Sequence, residues 1–247
     1  MDHSIIKIKD VNCFLIKTNN GKYYHDYLDN GYIGIYGGKI SIKNKERDYF
    51  TFTNDLNIGD YVLITSHKNK MITIGRITSP PQVEDNHPIR MVTWLKTIEI
   101  KDLFSLYRYL KQNKLIIKIN DFIDDILRIT HPIFYKDDKY HLVITITNQA
   151  GIPFKSLCGF YDILLSEVGD QQVEVKTVLK SPGIIELITE KLEVIILIIK
   201  LVKLIVSLAN KAKDKSNEKL IQKYYANQVD RLQIEIPDFT DFDNFNS

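Results

Sequence analysis

Between residues 11 and 95 the chain repeats one short pattern, an apolar stretch with strand character followed by a turn signal. The stretches are residues 11–17, 32–36, 49–53, 61–65, 71–77 and 89–95. Gly21-Lys22, Gly37-Gly38, Gly59-Asp60, the polar segment 67–70 and Ser79-Pro80-Pro81 separate them. Glycine supplies positive φ in tight turns, and proline cannot donate to a ladder. Many short strands split by turns predict a small barrel or sandwich rather than βαβ units.

The period then changes. Over residues 102–112, Leu103, Leu106, Tyr107 and Leu110 share one helical face, with Asp102 as N-cap. Residues 116–119 return to the barrel, and a short helix over 121–129 stops before His131-Pro132. The second half reads as a strand over 140–147, a helix over 156–168 and a strand over 173–179. Ser181-Pro182-Gly183 then caps a long helix over about 183–213. The expected fold class is therefore α+β. A small N-terminal barrel with flanking helices (1–125) precedes a smaller α+β domain with one long aliphatic helix (126–236), and an acidic, mobile tail (237–247) closes the chain.

The long helix is apolar from Leu192 to Ala209 except for Glu193, Lys200, Lys203 and Ser207, which fall on one narrow stripe. A helix apolar on most sides is buried somewhere. Burial or self-association into a homo-oligomer is the first reading, contact with a membrane interface the second and a span the third. Lys200 and Lys203 sit in the middle of a run that needs about 20 apolar residues to cross a bilayer.

Net charge is +2, and the basic excess sits in residues 1–125, with 18 basic against 15 acidic groups. That permits nucleic-acid binding without strong bulk attraction to phosphate. Cys13 and Cys158 have no metal-ligand spacing and read as buried thiols in a reducing compartment, so no metal or cofactor is expected. The N-terminus has no apolar signal core, so a cytoplasmic location is expected, with membrane association second.

Four groups of residues follow one another in the first half. They are Cys13 to Lys17 with Gly21, Tyr24, Tyr27 and Gly34; Phe50 and Phe52 with Gly59-Asp60; Ile74-Gly75-Arg76; and His87, Arg90, Val92 and Trp94. This succession, over residues 11 to about 119, resembles the EVE-like branch of the PUA superfamily, in the form placed N-terminally in Mrr- and McrB-type restriction proteins. Tyr36 stands where that family often has tryptophan, and Lys17-Thr18-Asn19 replaces a basic Arg-Ala-Gly. The resemblance implies a barrel that reads nucleic acid, DNA before RNA, by holding a flipped or modified base in a pocket. Defence against foreign DNA is the setting it implies.

By position, the resemblance puts Tyr36, Phe50, Phe52 and Trp94 at the pocket, with Ser66, His87 and Arg90 as polar contacts. A competing reading takes Asp162, Glu174 and Lys176 as a PD-(D/E)xK nuclease core, two carboxylates holding Mg²⁺ and a lysine assisting the attacking water. Helical phase at Asp162 speaks against it, so no catalytic residue is assigned.

Overall fold

The computed structural model describes residues 5–36, 42–147, 154–169, 172–178, 183–214 and 234–235. These fall into two compact units, residues 10–130, and residues 131 onward together with residues 5–9. In chain order the elements begin with β1 (Ile6–Lys7), β2 (Cys13–Ile16), α1 (Tyr24–Asn30), β3 (Tyr32–Gly34), α2 (Ile42–Phe50), β4 (Tyr61–Thr65), β5 (Met71–Ile77), β6 (Gln82–Glu84) and β7 (His87–Glu99). Then come α3 (Tyr107–Leu110), β8 (Ile116–Lys118), α4 (Ile123–Thr130), β9 (Ile133–Lys136) and β10 (Lys139–Ile146). The chain continues with α5 (Phe154–Val168), β11 (Glu174–Val178), β12 (Gly183–Thr189), α6 (Leu192–Asp214) and β13 (Ile234–Glu235). The fold class is α+β, as the sequence leads one to expect.

The first unit is a curled sheet, a half-barrel in the order β3-β7-β5-β4-β2-β8, with β6 also on β7. Phe14, Ile16, Val62, Ile64, Ile77 and Val92 supply its core from alternating strand positions, joined by Tyr27, Phe52 and Leu56. The Gly-Asp turn has a specific job. Gly59 takes φ +95°, which favours glycine. Asp60 is buried, and its two carboxylate oxygens accept the amides of Asn12 and Asn57, both at 2.8 Å. One side chain thus ties the approach to β2 against the turn before β4.

Gly75 lies beside a bulge. Ile74 pairs with Lys96 and Gly75 with Trp94, so Leu95 is the extra residue on β7. A Cβ at Gly75 would come 2.4 Å from Val92 Cγ1 and 2.6 Å from the Trp94 ring. Gly75→Ala is expected to lower stability by about 1–3 kcal/mol. A thermal melt reads this, and an unchanged midpoint would show that Val92 and the Trp94 ring both move aside freely.

Residues 49–53 are not the expected strand. They end α2 and enter a π-helical turn, Thr51–Asp55. Two outside contacts decide the matter. Arg90 on β7 donates to the carbonyls of Phe52 and Thr53, and Asp48 accepts the amide of Leu115, just before β8. The segment therefore spans from β7 near one edge of the curl to β8 at the other. The expected helix over 102–112 is a 3₁₀ stretch, Ile100–Leu106, followed by the short α3.

In the second unit the strand order is β1-β9-β10-β12-β11, with β13 on β10. The β9–β10 hairpin turns at Asp137 and Asp138, both with positive φ, as a tight two-residue hairpin of this type requires. β1 pairs in parallel with β9, so the start of the chain belongs here and not with the barrel, a correction to the 1–125 boundary. Local pattern cannot show that pairing, because the partner strand lies far along the sequence.

The long helix also needs correction. Residues 183–189 form β12, central between β10 and β11, and α6 starts only at Leu192. Ile184, Ile185, Ile188 and Thr189 are β-branched, and pairing on both sides fixes this apolar run as strand. Ser181 and Pro182, Gly37-Gly38 and the tail 237–247 lie outside the described residues. α5 and α6 cover one sheet face. Leu142, Ile144 and Ile146 of β10 and Ile185 and Leu187 of β12 meet Phe160, Leu164, Val194, Ile195, Ile198, Ile199 and Val202. Most described aliphatic side chains of α6 are thus spent on its own sheet. Its outward stripe carries Glu193, Leu197, Lys200 and Leu204. Among the described residues no helix is long and apolar enough to cross a membrane.

Candidate aromatic binding surface

Five tyrosines fall within residues 23–36, at positions 23, 24, 27, 32 and 36. α1 brings Tyr23 and Tyr27 to one side by their four-residue spacing. Gly31, left-handed at φ +67°, ends the helix and sends the chain into β3. Tyr27, buried, is the hub. Its ring lies 6.1 Å from Tyr23, 5.5 Å from Tyr32 and 6.2 Å from Tyr36, and its hydroxyl donates to the Gly34 carbonyl at 2.5 Å. Tyr36 stacks on Tyr23 at 4.7 Å between centroids, and His87 stands against Tyr36 at 5.0 Å. Trp94, half-buried, donates its indole N–H to the Tyr27 carbonyl at 3.0 Å. The Lys22 ammonium lies 5.1 Å above the Tyr23 ring.

A hydrogen-bond relay orders the cluster. Tyr32 donates its one hydroxyl proton to Asp26 at 2.6 Å. At the 2.6 Å contact between the Tyr32 and Tyr36 hydroxyls, Tyr36 must therefore be the donor. Burial, first of all, pushes the Tyr27, Tyr32 and Tyr36 hydroxyls above the ordinary phenol value, and Tyr32 is raised further by its bond to Asp26. All three stay neutral near pH 7. The surface is thus a patch of neutral phenol rings with Lys22, Asp26 and Glu84 at its edges. It can stack on a planar ring.

Of the seven residues the sequence singles out, Tyr36 and His87 are in ring contact at this surface, and Trp94 touches the cluster through its bond to the Tyr27 backbone carbonyl. Phe50 is 59% exposed on α2, beside Tyr49 and away from the cluster. Phe52 is fully buried in the core. Ser66 closes the β4–β5 hairpin, its hydroxyl accepting the Met71 amide at 2.9 Å. Arg90 is 2% exposed, and its guanidinium is consumed by the carbonyls of Phe52, Ser79 and Thr53 at 2.9, 3.2 and 3.1 Å. Burial lowers its pKa, and three of its five N–H groups are held by carbonyls within the fold. Tyr23, Tyr27, Tyr32 and Lys22 are the members sequence reasoning passes over as contacts. The density of tyrosine was the available signal.

Asp162, Glu174 and Lys176 do not converge. Thr177 bonds the Tyr161 hydroxyl at 2.6 Å, and Val175 and Thr177 line a cleft with Tyr161 and Leu164 of α5. Strand alternation then turns Glu174 and Lys176 to the opposite sheet face from α5, which carries Asp162. Glu174 pairs with Lys139 at 3.7 Å and Lys176 at 3.5 Å. Among the described residues no group of three or more His, Cys, Asp or Glu is placed to hold a metal. Cys13 is buried, and burial raises its thiol well above the usual value, whereas Cys158 is half-buried.

Comparison with known proteins adds one likeness. No curated protein matches the chain. Residues 35–118 match the model of a domain of unknown function, DUF8426. That match lies inside the first unit, from just after β3 through β8, and covers about a third of the chain; it includes Tyr36, His87 and Trp94 and leaves out β2, α1 and β3 with Tyr23, Tyr27 and Tyr32.

Proposed function

We propose that the half-barrel is a PUA/EVE-like nucleic-acid-binding module whose base-contacting surface is the tyrosine cluster. The reading rests on one observation: half-buried Tyr36, stacked on Tyr23, shares the hub Tyr27 with the half-buried Trp94. Aromatic faces beside a cation hold bases with little regard to sequence, at about 1–3 kcal/mol per stacked base. A flipped or modified base is the ligand the order of motifs implies, and DNA is preferred over RNA on that ground alone. Defence against foreign nucleic acid is the corresponding setting.

The test is a binding panel of single- and double-stranded DNA and RNA, with and without modified bases. The unaltered chain is expected to bind at least one class saturably. Tyr36→Ala with an intact circular-dichroism spectrum is expected to weaken it about tenfold or more. Affinities of Tyr36→Ala and Tyr23→Ala equal to that of the unaltered chain for every oligonucleotide would remove the cluster from the binding surface.

A further inference from the structure

We propose that the seam cleft between β8 and α2 binds the sugar-phosphate backbone of the nucleic acid, a second contact distinct from the aromatic surface. The inference rests on the half-barrel being a nucleic-acid binder. The cleft has a volume of about 580 Å³ and is lined by Arg47, Asp48 and Asp55 on one side and by Lys114, Ile116 and Lys118 on the other.

Several other cations of the unit are already engaged, whereas Lys68, Lys70 and Lys96 are exposed as Lys114 and Lys118 are, but do not line this cleft. Arg76 donates to the Gly59 carbonyl, Arg90 to three carbonyls, and Arg108, Arg128 and Lys101 pair with Asp121, Asp125 and Glu99. Lys17 reaches the carbonyls of Leu110 and Gln112 and holds that segment in place. Lys114 and Lys118 are exposed, and among the described residues neither makes an ion pair. Lys111 is exposed nearby in sequence. Of the two carboxylates in the lining, Asp48 is buried and occupied by the Leu115 amide and Arg47, leaving Asp55 as the exposed negative charge.

β8 adds backbone donors. It ends the strand order, so one of its sides is free. Lys17 N–H donates to Leu115 and Ile119 N–H to Cys13 at 2.9 and 2.8 Å, which turns the odd-numbered residues toward β2. Ladder alternation then aims the N–H groups of Ile116 and Lys118 outward along the free edge. Amide donors and unpaired lysines together suit anionic oxygens spaced along a chain. An added peptide strand is the less suited occupant, because lysine on an edge opposes strand pairing.

The experiment is fluorescence anisotropy with a labelled mixed-sequence DNA of about 15 nucleotides, single-stranded and duplex, from about 50 to 200 mM salt. For the double variant Lys114→Ala/Lys118→Ala the slope of log affinity against log salt is expected to shrink by about 1.5, since each phosphate contact contributes about 0.7–0.9. Tyr36→Ala should weaken binding and leave the slope in place. Binding by the double variant with an unchanged slope overturns this inference and leaves the aromatic surface standing. So does displacement of the DNA by polyglutamate at equal charge concentration, which marks a surface for any polyanion. Failure of the unaltered chain to bind either DNA overturns both readings.

Discussion

Arg90→Met is expected to cost the half-barrel about 3–5 kcal/mol, a large share of the stability a domain of this size has. The guanidinium is buried and gives its hydrogen bonds to Phe52, Thr53 and Ser79. Phe52 and Thr53 sit in the π-helical turn, so the bonds fasten the bridging segment to β7. Methionine fills the stem but leaves carbonyls facing apolar atoms without donors. Lysine should rescue little, because a single ammonium cannot reach three carbonyls in a fixed fork. Urea unfolding followed by circular dichroism measures the effect. A loss under about 1 kcal/mol would mean that the segment is held by Phe52 packing alone. This residue also illustrates the gap between motif and role. As an arginine on a strand next to aromatic residues it reads as a ligand contact, yet its fork points inward onto three backbone carbonyls.

Asp60→Ala should follow at about 2–4 kcal/mol, through loss of two charge-assisted bonds to the Asn12 and Asn57 amides. Asp60→Asn retains one acceptor oxygen and should fall between the two. Cys13 gives an independent readout. Its thiol is buried, and burial together with the Asp60 charge keeps it protonated. In a Cys158→Ser background, modification of Cys13 by a thiol reagent should be slow in the unaltered half-barrel and much faster in Asp60→Ala. Equal rates would show that the β2–β4 seam holds without the carboxylate.

Tertiary context also explains why the site was half legible. Tyr36, His87 and Trp94 were reachable from motif order, because they lie on or just after strands whose positions local pattern marks. Phe50 and Phe52 were misplaced because alternation in residues 49–53 fits a strand as well as it fits one turn of helix. The helix wins only through Arg90 and Asp48, neither of which is local. Tyr27 was visible as a residue but not as a hub, since its neighbours come from α1, β3, the chain just beyond β3, and β7.

The chain's own sequence determined the α+β class, most strands of the half-barrel and the Gly59-Asp60 turn, since these depend on side-chain period and on φ preferences within a few residues. Only the tertiary structure decided that β1 joins the second unit, that residues 183–189 are strand, that Arg90 is a fastener and that Asp162 lies on the far side of a sheet from Glu174. Each of those outcomes turns on a partner distant in sequence, and pairing between distant segments leaves no mark in the local pattern of either one.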